Sequence, residues 1–253
     1  MVNKNLIINN NKISYILKSK NSNGPKISVV FLCGYKSDKS GAKAIFIEDL
    51  RKKIGFEYLR FDYSGHGHSS GDIESLIFSN WVNESKIIIE KLTNYPLLLI
   101  GSSMGGWISF YISMIMKRKI CGIIGIATAA DFTNQLEKEM TEKQRYYYKK
   151  KDILIIQSEY SKEPYVFTKK FITNSKKFLL LKKNVFIKSR SSLLYGLRDS
   201  SVSIDTQIKL LNRLSHKESS LTILKNSDHR MSSRHDLKVL KDIILSYIKY
   251  PLS

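Results

Sequence analysis

The stretch Gly101-Ser-Ser-Met-Gly-Gly106 sets a serine between glycines two places either side, the spacing G-x-S-x-G. An apolar run, residues 96–100, precedes it and a helical pattern follows, so the motif reads as strand, sharp turn and helix. That context leaves Ser103 exposed at the carboxyl edge of a sheet, as a candidate nucleophile. A serine hydroxyl attacks a carbonyl at neutral pH only when a base takes its proton. His229 follows the apolar run 220–224 in Asn226-Ser-Asp-His-Arg230, just before a last helical stretch, and is the expected base. His216 lies before that run, at the opposite edge, and His235 falls in the first turn of the last helix. His66 and His68 occupy a Gly-rich loop, where lining the site and stabilising the loop both stay open.

The acid of a Ser…Asp…His order should follow a strand between the other two. Residues 191–199 offer a strand, a glycine turn and then Asp199, 30 positions before His229. Asp199 would hold the imidazole tautomer and stabilise the imidazolium. Asp205 reads as a first-turn helix charge, and Asp228 is too close in sequence to face His229. Two backbone amides would complete the site as an oxyanion hole. One belongs to Met104, after the nucleophile, and the other to Tyr35, in the turn Cys33-Gly34-Tyr35. The direction of those amides matters more than their side chains.

The elements that must position these residues alternate along the chain. Short apolar or β-branched runs at 12–17, 27–33, 58–61, 96–100, 121–127, 192–195 and 220–224 read as strands, most of them buried on both faces. Helical spacing marks 42–54, 81–92, 105–116, 206–214 and 237–248. This alternation predicts an α/β fold, a mostly parallel central sheet covered by helices. Residues 1–253 read as a single domain, and 131–190 are longer than a crossover needs. That region holds helical material at 134–150, a hairpin near 153–166 and a further segment at 168–181. We read it as a lid over the sheet. It gathers Tyr146, Tyr147, Tyr148, Tyr160, Tyr165, Phe167, Phe171 and Phe178, with 15 basic against 7 acidic residues.

Composition narrows the function classes. With 42% hydrophobic and 25% charged residues, the chain is neither disordered nor collagen-like. Its formal charge of +20 raises the question of an anionic partner. Heavy use of Lys, Ile and Asn throughout is the signature of AT-rich coding, and we read the charge first in that way. No nucleic-acid motif accompanies it, so a nucleic-acid partner is not expected. A weak attraction to an anionic membrane or to acyl-CoA is the alternative. Cys33 and Cys121 make neither a disulfide framework nor a metal site, and they fall at opposite ends of the sheet. Without a signal-like or transit-like start, or an unbroken apolar span, the expectation is a cytoplasmic protein.

The motifs, in order, resemble one family. Arg60-Phe-Asp-Tyr-Ser-Gly65, Gly101-Ser-Ser-Met-Gly-Gly-Trp107, Gly125-Ile-Ala-Thr-Ala-Ala-Asp131, Leu194-Tyr-Gly-Leu-Arg-Asp199 and Ser227-Asp-His-Arg-Met231 are similar to stretches of the α/β-hydrolase superfamily. Within it they resemble the group around α/β-hydrolase domain-containing protein ten and its bacterial relatives. The resemblance implies a serine hydrolase of acyl esters and thioesters, with depalmitoylation and acyl-glucuronide cleavage known in the animal member. It puts the triad on Ser103, Asp199 and His229, without metal or organic cofactor. Where many α/β-hydrolases have His-Gly in the first turn, this chain has Cys33-Gly34. Two other readings stay open: a serine peptidase of the same fold, and a binding protein on a hydrolase scaffold.

Overall fold

The computed structural model describes residues 3–157, 163–182 and 186–249. Its sheet begins with a hairpin, β1 (Lys4–Ile8) and β2 (Asn11–Lys18), paired antiparallel. Asn9 and Asn10 make the two-residue turn, both with positive φ, 48° and 66°. Asparagine tolerates that conformation, and such turns match the twist of the flanking strands. The remaining strands are β3 (Ser28–Leu32), β4 (Glu57–Phe61), β5 (Leu97–Ser102), β6 (Ile120–Ile126), β9 (Ser191–Gly196) and β10 (Ser220–Leu224). Together with the hairpin they form one eight-stranded sheet in the order β1-β2-β4-β3-β5-β6-β9-β10, parallel from β4 onward. The chain is an α/β protein with a large, mostly parallel central sheet.

Every residue of β3, β4, β5 and β9 is buried, as continuous apolar runs require when helices cover both faces. The last strand departs from that expectation. β10 lies at the sheet's edge and none of its residues is fully buried. The helices α1 (Ala42–Ile54), α2 (Phe78–Leu92), α3 (Met104–Ile115) and α7 (Ile204–Leu211) supply crossovers, and α8 (Arg234–Lys249) follows the last strand. Among them α1 packs on α8 and α2 on α3, while α7 packs on β9 and β10. From β3 the chain crosses to β4 on one side, and β5 then returns to the other side of β3. The loops leaving β3 and β5 therefore diverge and open a crevice at the carboxyl edge, the usual place for a site in such sheets.

Between β6 and β9 the chain leaves the sheet. The helical stretch expected at 134–150 is two helices, α4 (Phe132–Lys138) and α5 (Glu142–Lys151). The break has a local cause. Thr141 Oγ1 accepts the Gln144 amide at 3.2 Å, and Gln144 Oε1 accepts the Thr141 amide at 2.9 Å, a reciprocal cap that starts a new helix. Next come β7 (Ile153–Ile156) and β8 (Tyr165–Thr168), paired antiparallel, then α6 (Lys169–Ser175) and one 3₁₀ turn (Lys176–Phe178). Of the aromatic residues in this region, Phe167, Phe171 and Phe178 are buried, whereas Tyr146 and Tyr147 are exposed. Tyr160 lies outside the described residues. The region is anchored by Asp131, whose carboxylate accepts the amides of Leu180 at 2.8 Å and Leu181 at 3.0 Å. Trp107 Nε1, on α3, donates to the Phe178 carbonyl at 2.8 Å.

Candidate active site

Ser103 joins β5 to α3 with φ 54° and ψ −119°, a conformation that side-chain-bearing residues rarely adopt. Its surroundings hold it there. The Ser103 amide donates to the Ile126 carbonyl at 2.8 Å, and its own carbonyl accepts from Gly106, Trp107 and Ala129. Gly105 lets the helix meet the end of β3: a Cβ there would fall 2.2 Å from the Leu32 carbonyl oxygen. The strand, sharp turn and helix of the sequence motif are all present, with Ser103 partly exposed at the carboxyl edge.

His229 and Asp199 arrive from neighbouring loops, after β10 and β9. Those loops are stitched by two backbone bonds, Leu197 to the Leu224 carbonyl and Arg198 to the Ser227 carbonyl, both at 2.9 Å. Gly196 permits that approach, because a Cβ there would meet the Ser227 carbonyl oxygen at 2.3 Å. Asp199 Oδ2 then lies 2.8 Å from His229 Nδ1, and His229 Nε2 lies 3.1 Å from Ser103 Oγ. The Asp199 side chain is wholly buried, whereas that of His229 is 15% exposed. A buried acid, an orienting contact and a base facing a hydroxyl can move a proton from serine to imidazole.

The turn after β3 stands beside the serine, since a Cβ on Gly34 would sit 3.9 Å from Ser103 Oγ. The amides of Tyr35 and Met104 have no acceptor among the described residues. The Tyr35 side chain has a role that the amide-only reading overlooks. Its hydroxyl donates to the Val166 carbonyl on β8 at 3.0 Å. Its ring lies 4.9 Å from Phe167 and 5.6 Å from Tyr165, centroid to centroid. Burial pushes its phenol well above the ordinary tyrosine range.

The other histidines do not join the site. His66 is buried beside Trp81 and Tyr35, its Nδ1 3.1 Å from the Ser64 carbonyl oxygen, and burial lowers its pKa. His68 donates its amide to Asp62. His216 lies before β10, where its ring accepts the Glu218 amide, and His235 is in the first turn of α8. Asp205 sits in the first turn of α7, and Asp228 accepts the amides of Arg230 and Met231 rather than facing His229.

Three supports were not read from the sequence. Asp62 binds both the amide and the ammonium of Lys39 at 2.6 Å in the interior, tying the loops after β3 and β4 together. Asp131 clamps the return of the inserted region. Lys43, on α1, donates to the Arg230 carbonyl in the loop that carries His229. Burial lowers its pKa to about 8, against the pull of Asp228 and Asp236. Only the first two lie in stretches marked by the family resemblance. Lys43 carries no local signal, because it meets its partner 187 positions away. Among the described residues no cluster of three or more His, Cys, Asp or Glu side chains could hold a metal. Both cysteines are free and buried, and no described helix is long and apolar enough to cross a membrane.

A sheet of this order with a serine turn after β5 defines the α/β-hydrolase class. The family described as serine aminopeptidase, S33, matches residues 23–166, and the chain belongs to it. Palmitoyl-protein thioesterase ABHD10, mitochondrial, of Bos taurus is 33% identical over 229 residues, covering 88% of this chain and 74% of that protein. A putative hydrolase from Agrobacterium vitis S4 superposes with a TM-score of 0.91 at 27% identity, covering 98% of both chains. Alpha/beta hydrolase domain-containing protein 10 from mouse follows at 0.89 and 26% identity, over 98% of this chain and 99% of that one.

Proposed function

We propose that this hydrolase cleaves acyl esters or thioesters through an acyl-enzyme on Ser103. The observation that carries the reading is the chain of contacts from Asp199 through His229 to Ser103, at 2.8 and 3.1 Å. Ser103 Oγ attacks the substrate carbonyl carbon as its proton passes to His229 Nε2. Asp199 fixes the tautomer and stabilises the imidazolium, and the amides of Tyr35 and Met104 receive the oxyanion. The tetrahedral adduct collapses, expelling the alkoxide or thiolate, which takes the proton from His229. Water then attacks the acyl-enzyme, giving its proton to His229; collapse releases the acid and returns the proton to Ser103. No cofactor enters this sequence.

The relatives named as palmitoyl-protein thioesterases support the thioester side of the proposal. Residues 131–190 would act as a lid within a single hydrolase domain spanning 1–253, with Phe167 and Phe171 offering an apolar surface to an acyl chain. Such a surface discriminates neighbouring chain lengths by about 1–3 kcal/mol per methylene, so acyl groups of several lengths should be accepted. A cytoplasmic location belongs to the same proposal, with the free thiols of Cys33 and Cys121 in its favour.

The test is fluorophosphonate labelling of the purified protein and of Ser103→Ala, beside turnover of p-nitrophenyl esters of increasing chain length. Labelling and turnover that disappear in the variant support the proposal. Peptide turnover without ester turnover would favour a peptidase, the activity in the family's description. A wild type that neither labels nor turns over any substrate would favour a binding protein.

A further inference from the structure

The inserted region carries a basic groove that the chemistry at Ser103 does not use. An open cavity of about 650 Å³ lies between the start of α2, the β7–β8 pair and α6. Its walls include Lys151, Lys169, Lys170 and Lys177, against one carboxylate, Asp152. All four lysines are exposed. Lys169 engages Asp152 at 2.9 Å, and among the described residues the other three have no carboxylate partner. Asn174, also in the wall, accepts the Ser79 amide through Oδ1 and keeps its Nδ2 donors. Lys169 borders a second hollow with Arg145, Lys149 and Glu137, the last paired with Lys176, so the excess of positive charge continues onto α5.

Codon bias explains many lysines, but not four of them around one cavity with a single acid. Ammonium groups around one cavity repel one another, and an anion of two or more charges relieves that repulsion. The volume is that of a small-molecule site. Ammonium groups on flexible stems suit the several oxygens of phosphate, which need no planar fork. The groove's β8 wall continues into Phe167, the residue against the Tyr35 ring. A ligand held there would lie near the region proposed to cover Ser103.

We propose that this groove binds phosphate esters. Two sources present that chemistry: a soluble phosphorylated thiol such as coenzyme A, or the headgroups of anionic phospholipids. The site goes beyond the hydrolase reading and stands apart from it, because binding is measured in Ser103→Ala, where no turnover occurs. Coenzyme A is titrated by calorimetry, and vesicles of phosphatidylglycerol or phosphatidylcholine are tested by co-sedimentation. The comparison is between Lys170→Gln/Lys177→Gln and Lys26→Gln/Lys53→Gln, which removes equal charge elsewhere. Binding of coenzyme A or of phosphatidylglycerol vesicles is expected to weaken about tenfold in the groove variant and less than twofold in the control. Coenzyme A alone identifies the soluble source, and vesicles alone the headgroup. Absence of binding to both, or equal weakening in the two variants, overturns the proposal. The groove changes made with Ser103 intact should leave p-nitrophenyl acetate turnover unaltered, which reports that the variant is folded.

Discussion

Asp199 meets His229 with one carboxylate oxygen and holds its own loop with the other. Oδ2 is 2.8 Å from His229 Nδ1, while Oδ1 accepts the amides of Ser201 at 2.8 Å and Val202 at 2.9 Å. The same side chain thus fixes the turn after β9 and the ring of the histidine. Loop shape and imidazole orientation are coupled through one buried group.

This division makes the isosteric variant informative. Asp199→Asn keeps an oxygen for the two amides but places an NH₂ group against Nδ1. The imidazole would then carry its proton on Nε2, where it cannot accept from Ser103. We expect kcat to fall about 10⁴-fold with a melting temperature close to wild type. Asp199→Ala should lose activity similarly and also about 1–2 kcal/mol of stability, because the amides lose their acceptor. Steady-state kinetics beside thermal melts separates the two effects, and undiminished kcat in Asp199→Asn would remove Asp199 from the mechanism.

Tyr35 links the turn beside Ser103 to β8 through its hydroxyl and its ring. Tyr35→Phe removes only the bond to the Val166 carbonyl, worth about 1 kcal/mol, and leaves the amide in place. If β8 covers the acyl chain, KM for long-chain esters should rise about fivefold, with p-nitrophenyl acetate turnover little changed. Equal losses on short and long esters would mean that the side chain sets the turn itself rather than the cover.

Most of the sheet was legible because its strands are buried on both faces, and runs such as residues 28–32 carry that burial as unbroken apolar sequence. The convergence of Ser103, Asp199 and His229 was legible for a related reason. Each follows a strand at the carboxyl edge, so chain order alone brings them to one side, where His229 lies within hydrogen-bond reach of each of the other two. The first strand was missed: residues 4–8 are mostly exposed and only Leu6, Ile7 and Ile8 are apolar, and the signal lay in Asn9-Asn10. The break at Thr141 was missed because the helical composition continues across it, while the cap depends on two side chains. The pairing of Lys39 with Asp62 and the reach of Lys43 to Arg230 are tertiary, and no local pattern encodes them.

The crossing of α3 over β3 predicts a sharp contrast between glycines. In Gly105→Ala the new methyl would fall 2.2 Å from the Leu32 carbonyl oxygen and 2.4 Å from that of Cys33, both backbone atoms that cannot swing away. Helix and strand must separate, with a cost of about 3 kcal/mol or more and loss of the turn that presents Ser103. At Gly41 the nearest atom to a new Cβ is 3.6 Å away, so Gly41→Ala should fold with wild-type stability. Urea unfolding of the two variants checks this, and a Gly105→Ala protein of wild-type stability would contradict the close crossing.

Lys43 gives the pH prediction, and its sign follows from burial. Desolvation lowers its pKa to about 8 from the usual 10.5, outweighing the attraction of Asp228 and Asp236. Below about pH 8 both folded and unfolded chains hold the proton, and the folded state bears the cost of a buried charge. Between about 8 and 10.5 only the unfolded chain keeps it, so this group's contribution to stability rises with pH. Above that window the cost is gone. Lys43→Met has no such titration, although it also loses the bond to the Arg230 carbonyl. The difference in unfolding free energy, wild type minus variant, should therefore climb across the window by up to about 1.4 kcal/mol per pH unit. Urea unfolding of both proteins at half-unit steps measures that slope, and subtraction cancels the tyrosines that titrate in the same range. A flat difference would mean that Lys43 keeps an ordinary pKa, with its ammonium group still in water.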